Sequence, residues 1–143
     1  MGATEVDGHS FKDIGLPEFT VISRKESETG DILYTVEPKE RIAACPACGG
    51  KLHIHKDAKR KVKDLDEFGH RVGIVVKGKS YRCKDCGETV REEYASICGQ
   101  MTRRMVESIQ RDVFGDMTFT QIARRYNVSV STVQGLFEEQ GEK

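Results

Sequence analysis

The sequence predicts an α+β fold in which a β-rich N-terminal part is followed by three short helices. Two observations support this prediction. Two Cys-x-x-Cys pairs, Cys45/Cys48 and Cys83/Cys86, enclose segments of strand composition. From Thr102 onward the apolar residues recur at the spacing of amphipathic helices instead.

The two cysteine pairs have the composition of metal-binding turns. In each pair glycine follows the second cysteine directly, which allows backbone amides to turn toward the sulfurs. Four thiolates are what a closed tetrahedral Zn²⁺ site requires. The 34 residues between the pairs exceed the roughly 15–20 of a compact zinc ribbon. We therefore predict a zinc ribbon over residues 45–93, with one or two hairpins extending from the metal. The metal is expected to supply much of its folding free energy.

The β-rich part is predicted strand by strand. Residues 1–44 form an N-terminal segment with a β-hairpin, whose strands cover residues 18–23 and 31–36. Between the cysteine pairs we predict four short strands, at residues 51–55, 61–65, 71–77 and 79–82, with Gly69 and Gly78 as breaks. A last strand at residues 89–93 closes the ribbon.

Basic residues are concentrated between the cysteine pairs. Residues 51–82 carry ten Lys/Arg against four Asp/Glu, whereas residues 1–44 carry five against nine. The net charge of zero argues against a protein that simply coats DNA. The basic segment is either a solvated face or a phosphate-contacting surface. On the second interpretation, the phosphate contacts are Lys59, Arg60, Lys61 and Lys63.

Helix-terminating residues divide residues 102–143 into three helices. Thr102 is the predicted N-cap of the first, and Thr118 with Gln121 forms a capping box for the second. Asn127 suits a left-handed turn, and Ser129 caps the third helix. The pattern predicts a helix-turn-helix, in which the small Ala123 permits close helix crossing. The alternative is a generic three-helix bundle without a DNA role.

The third helix, predicted over residues 130–138, would be the recognition helix. Side chains at its exposed N-terminal end would reach base edges, and neighbouring polar groups would contact the DNA backbone. The predicted base contacts are Val130, Ser131 and Gln134, and the predicted backbone contacts are Thr132, Arg124 and Arg125.

The order of motifs resembles the N-terminal region of insertion-sequence transposases of the ISL-three type. The resemblance rests on Cys45-Pro-Ala-Cys48-Gly, Lys63-Asp64-Leu65, Tyr81-Arg82-Cys83-Lys-Asp-Cys86-Gly and the helices from Phe119 to Phe137. It implies a zinc ribbon followed by a helix-turn-helix. Members of that family continue into a ribonuclease-H-like catalytic domain, which this sequence lacks. The chain is therefore expected to be a DNA-binding region, either a fragment of a transposase or a separate protein derived from one, and not an enzyme.

The expected partner is double-stranded DNA, and a homodimer is compatible with the sequence. A second hypothesis is a zinc-ribbon adaptor that binds a protein in transcription. A third makes one cysteine pair a redox site, which the glycine turns and the lack of a thioredoxin-like pattern disfavour. The sequence shows neither a secretory signal nor a long apolar run, so a cytoplasmic location without membrane contact is expected.

Overall fold

A computed structural model describes residues 14–141 of the chain, with side chains to residue 138. Within this range seven strands precede three helices. The strands are β1 (Phe19–Glu26), β2 (Ile32–Pro38), β3 (Leu52–Glu67), β4 (His70–Cys83), β5 (Thr89–Arg91), β6 (Ile97–Cys98) and β7 (Met101–Thr102). The helices are α1 (Arg103–Val113), α2 (Phe119–Tyr126) and α3 (Val130–Gly141). None of the described helices is long and apolar enough to cross a bilayer.

All seven strands belong to one mixed sheet. Its order is β1-β2-β4-β3-β7-β6, and β5 pairs with β4 beside this path. The predicted N-terminal hairpin is confirmed, since β1 and β2 pair in antiparallel. Its second strand then pairs in parallel with β4. The strands before and after the predicted boundary at residues 44 and 45 therefore belong to one sheet. The first 13 residues of that predicted segment lie outside the described residues.

The prediction of four short strands between the cysteine pairs was wrong. They are two long strands, β3 and β4, joined in one antiparallel hairpin with two register shifts. Gly78 lies inside β4, paired with Ala58, and does not end a strand. A Cβ at Gly78 would lie 2.4 Å from the Tyr94 hydroxyl oxygen. This glycine therefore marks a close approach of another chain segment, a second common reason for glycine in a strand.

The sheet has an apolar core that does not involve the cysteines. Ten buried side chains form it: Leu16, Phe19, Ile32, Tyr34, Val36, Val62, Val72, Ile74, Val76 and Ile97. A smaller cluster at the cysteine end contains Cys45, Tyr81, Cys83 and Val90. Because most of the buried apolar area lies in the larger core, we restrict the expectation of metal-dependent folding to the cysteine end.

The helix boundaries follow the predicted caps. The Thr102 hydroxyl accepts from the amide of Met105, and the Thr118–Gln121 capping box is present in both directions. Asn127 has a φ of 57° and ends α2 in the left-handed conformation. The Ser129 hydroxyl accepts the Thr132 amide at 3.1 Å and so caps α3.

The three helices pack around one apolar cluster. Its buried members are Met105, Ile109, Ile122, Ala123, Tyr126 and Val133. Phe137, on α3, is 39% exposed. Its ring lies 5.5 Å from Phe119 and 6.4 Å from Phe114, centroid to centroid. It closes the bundle at the surface instead of filling the centre.

The helical bundle is joined to the sheet through a buried carboxylate. Asp64, on β3, is 6% exposed and accepts hydrogen bonds from Thr102 Oγ1 at 2.7 Å and Arg104 Nε at 2.9 Å. A second Arg104 nitrogen completes the ion pair. The next residue, Leu65, packs against the bundle core. The Lys63-Asp64-Leu65 motif is thus the contact between the two parts of the fold.

Candidate metal centre and nucleic-acid interface

The two cysteine pairs adopt matching turns. The Gly49 amide donates to the Cys45 carbonyl at 2.8 Å, and the Gly87 amide donates to the Cys83 carbonyl at 3.1 Å. Both glycines have a φ of 77°, a conformation that favours glycine. Each turn brings its two sulfurs to one side, as the sequence pattern predicts.

The four sulfurs have the spacing of a tetrahedral zinc site. The Sγ atoms of Cys48 and Cys83 are 3.5 Å apart, and those of Cys45 and Cys86 are 3.8 Å apart. All four ligand atoms lie within 4.8 Å of one another. With Zn–S bonds of about 2.3 Å, ideal tetrahedral geometry places the sulfurs about 3.8 Å apart. The donor set therefore fits Zn²⁺.

Backbone amides tune the sulfurs unequally. The Cys86 amide donates to the Cys83 sulfur at 3.4 Å and lowers the pKa of that thiol to about 7. The Gly50 amide acts in the same direction on Cys48, but hydrogen bonds with the Cys83 and Cys86 thiols outweigh it and raise the pKa of Cys48 to about 12. A bound cation favours the thiolate form of all four, so metal binding must release protons.

The zinc site has a counterpart among known families. Residues 41–86 match the zinc finger of transposase IS204/IS1001/IS1096/IS1165. This segment is a transposase-type zinc ribbon. The match spans both cysteine pairs and the β3–β4 hairpin, about a third of the chain. No curated protein and no solved structure matches the chain. The predicted Zn²⁺ cofactor is confirmed by the family match and the cysteine cluster together.

A buried carboxylate braces the zinc ribbon. Glu92 is 7% exposed and accepts from Arg41 at 3.0 Å, from the Tyr81 and Tyr94 hydroxyls at 2.5 and 2.8 Å, and from the Lys79 amide at 3.0 Å. It ties the segment before the first cysteine pair to the strand after the second. The Glu92 carboxylate is therefore part of the folded interior and not a solvated surface group.

The signal that could have identified Glu92 is the alternation through β5 and the two residues after it, since Val90 and Glu92 are buried while Thr89, Arg91 and Glu93 are exposed. Burial raises the pKa of the Glu92 carboxyl, but the hydrogen bonds from Tyr81 and the other donors outweigh burial. The net result is a lowered pKa.

The predicted phosphate contacts on β3 divide into two groups. Lys59 and Lys61 are exposed on the face opposite the sheet core, and Lys77 lies beside Lys59 on β4. We call these three residues the lysine face. Arg60 points the other way and donates to the Gly99 carbonyl at 2.5 Å. Lys63 lies on the same side as Lys59 but donates to the Asn127 carbonyl. Arg60 and Lys63 are thus both engaged in hydrogen bonds within the fold.

The N-terminal end of α3 is exposed beside the lysine face. Val130 is 43% exposed, and Ser131 and Gln134 are exposed as well. The half-buried Thr132 shares a hydroxyl hydrogen bond of 2.8 Å with Ser129. A groove of about 420 Å³ separates the two surfaces and is lined by Lys61, Lys63, Gly73, Gln100, Val128, Ser129 and Thr132. Lys61, at the edge of the lysine face, and Thr132, in the first turn of α3, therefore border one groove.

The two arginines that precede the α2–α3 turn differ in their surroundings. The Arg125 guanidinium lies 3.4 Å from the Asp112 carboxylate and 5.7 Å from the centroid of the Tyr126 ring. Arg124 is exposed on the same helix. Of the two, Arg124 has the side chain more available to an external phosphate.

Proposed function

We propose that this chain is a sequence-specific DNA-binding module in which α2 and α3 act as a helix-turn-helix and the zinc ribbon binds the same duplex. The observation that carries the proposal is the groove that Lys61 of the lysine face shares with Thr132, beside the exposed end of α3. A helix that reads bases needs an accessible N-terminal end and positive charge nearby for the phosphates. The exposed N-terminal end of α3 and the lysines of β3 near it support these two requirements.

The roles of the side chains follow from their chemistry. Lys59, Lys61 and Lys77 supply exposed positive charges that neutralise phosphates and release counterions. Gln134 can form a bidentate pair with adenine, while Val130 offers an apolar contact to a thymine methyl group. Ser131 can donate to or accept from either partner. Sequence preference is thereby assigned to α3 and salt-dependent affinity to the lysines.

The zinc ribbon gives the interface its rigidity. Zinc fixes one end of the long β3–β4 hairpin, and the Asp64–Arg104 ion pair fixes α1 to the same hairpin further along. A preorganised surface loses less conformational entropy when it binds. As part of a transposase, such a module would recognise the terminal repeats of its element; as a separate protein, it would recognise an operator.

The experiment is selection of bound duplexes from a random pool by the zinc-loaded protein, followed by binding measurements on variants. Gln134→Ala should relax preference at one or two positions, at a cost of about 1–3 kcal/mol on the best site. Arg124→Ala should weaken binding to every sequence alike and reduce the salt dependence. Arg111→Ala, on the exposed side of α1, is the matched control and should bind like the wild type. Failure to enrich any sequence would remove the proposed specificity.

An exposed aromatic surface favours the adaptor hypothesis as a second candidate. Phe114 is 66% exposed and Phe137 is 39% exposed, and the Phe137 ring contacts the rings of both Phe114 and Phe119. Aromatic residues are enriched at protein interfaces. A salt titration separates the candidates, since DNA affinity falls steeply with added salt whereas an apolar protein contact does not.

A further inference from the structure

The tip of the β3–β4 hairpin contains a residue that does not suit its conformation. Glu67 pairs with His70, so the turn consists of Phe68 and Gly69 alone. Their φ values are 52° and 82°, and positive values at both positions are typical of a type I′ turn. Such turns strongly favour Asn-Gly. A bulky phenylalanine at positive φ is a steric outlier, and outliers of this kind cluster at functional sites.

The phenyl ring at the tip is not compensated by packing. Phe68 is 90% exposed, the largest value among the exposed large hydrophobic residues of the described chain. It therefore adds neither buried area nor a favourable backbone conformation to the fold. The side chain is unfavourable for the free protein, which points to a role in a complex.

The tip extends beyond the α2–α3 turn. Arg71 donates to the Arg125 carbonyl at 3.0 Å, and Lys63 donates to the Asn127 carbonyl, so the hairpin runs alongside that turn. Phe68 lies three residues from Arg71, about 10 Å at the rise of a strand. Half a turn of DNA is about 17 Å. A ring at the tip can thus reach the groove next to the one that α3 would occupy.

Acidic residues at the tip are held by the fold. Asp66 is paired with Arg71 at 3.2 Å. Glu67 accepts from the Tyr34 hydroxyl at 3.3 Å. These contacts direct both carboxylates toward protein donors, which limits their repulsion of phosphate and leaves the phenyl ring as the projecting group.

We propose that Phe68 is a DNA wedge, inserting its ring between two base pairs from the minor groove while α3 occupies the adjacent major groove. The inference rests on the proposed function and adds a second contact with the duplex. Apolar side chains that enter from the minor groove partly unstack a base step and kink the duplex. Specificity would then include flexible pyrimidine–purine steps at the kinked position.

The test compares a fully paired 30-base-pair duplex with the same duplex containing a two-base mismatch, using zinc-loaded protein. A mismatch lowers the unstacking energy, so a wedge binds it more tightly; we expect a preference of about fivefold or more for the wild type. Phe68→Asn should abolish the preference and also raise the melting temperature of the free protein by about 2–5 °C, because asparagine tolerates the left-handed conformation. Phe114→Asn removes an exposed phenyl ring elsewhere and should retain the preference.

A second variant, which adds a fluorescent side chain at the tip, complements the loss of mismatch preference expected for Phe68→Asn. The sequence contains no tryptophan, so Phe68→Trp introduces a single indole at the tip. A wedge predicts retained mismatch preference and quenching of the indole fluorescence when DNA binds, because the indole stacks on a base.

Equal binding of both duplexes by wild type and Phe68→Asn would overturn the wedge and leave the proposed function intact. Absence of salt-dependent binding to any duplex would overturn both. Conversion of a dimer to a monomer by Phe68→Asn, without a change in mismatch preference, would assign the ring to a protein contact and also overturn the wedge.

Discussion

Substitution of Asp64 by alanine tests whether the sheet and the helical bundle form one cooperative unit. Asp64 accepts from the Arg104 guanidinium, from the Thr102 hydroxyl at 2.7 Å and from the Leu65 amide at 2.8 Å. Thr102 is also the N-cap of α1. Loss of the carboxylate therefore removes an ion pair and the group that orients the helix cap.

The expected destabilisation is about 3 kcal/mol. Hydrogen bonds to a charged group contribute roughly 1.5–3 kcal/mol each, so the Thr102 and Arg104 bonds together give about 3 kcal/mol at the lower end of this range. The lower end applies to the Arg104 contribution, because that side chain is 37% exposed and water can partly replace its partner. In urea, with an m value of about 2 kcal/mol/M, the midpoint should fall by about 1.5 M.

The control is a second aspartate on the same strand. Asp66 and its partner Arg71 are 38% and 42% exposed at the side chain. Asp66→Ala should therefore change the free energy of unfolding by less than about 1 kcal/mol. Unfolding of both variants would be followed in urea by circular dichroism. If Asp64→Ala shifted the midpoint no more than Asp66→Ala, the buried pair would not be the joint described above.

Three further predictions concern the zinc ribbon. Cys83→Ser should reduce the zinc content below one ion per chain and perturb the tyrosine signal in near-ultraviolet circular dichroism, while most strand signal persists because the sheet core excludes the cysteines. Glu92→Gln should flatten the acid dependence of stability. Despite burial, its donors hold the pKa of Glu92 below the ordinary 4.5, so the stabilisation is complete above about pH 4.5 and lost as the pH falls through the lower, folded-state pKa. Urea titrations at several pH values would measure this. Gly78→Ala should destabilise the protein by about 2 kcal/mol because its Cβ would lie 2.4 Å from the Tyr94 hydroxyl. Gly73→Ala is the control and should destabilise it less, because the atom nearest to the new Cβ is 3.3 Å away. Calorimetry would measure both losses.

Local chemistry made parts of this structure predictable. The zinc ligands follow from cysteine spacing because a tetrahedral site needs four sulfurs on two tight turns. The helix caps at Thr102 and Thr118 follow from hydrogen bonds within four residues of chain. In each case the cause lies within a short segment, so composition and spacing are sufficient.

The parts that escaped prediction depend on distant partners. Gly78 resembles a strand break in the sequence, because its contact with Tyr94 depends on the fold. Glu92 resembles a surface charge, because three of its four hydrogen-bond donors come from other parts of the chain. Likewise Lys63 belongs to a basic run in the sequence, but its ammonium group donates a hydrogen bond to the Asn127 carbonyl. One usable signal was present: along β3, buried Val62 and Asp64 alternate with exposed lysines. That alternation indicates a buried aspartate, and hence a buried partner such as Arg104.

The central claim is that the lysine face and the leading end of α3 bind one duplex together. Its most direct test is the salt dependence of binding to a selected duplex, measured by fluorescence anisotropy for the double variant Lys59→Gln/Lys61→Gln. Loss of two phosphate contacts should lower the magnitude of the slope of log K against log[salt] by about 2, with the sequence preference unchanged. Lys39→Gln, exposed elsewhere on the chain, should leave the slope unaltered. A double variant with the wild-type slope would show that the lysine face does not touch the DNA that α3 reads.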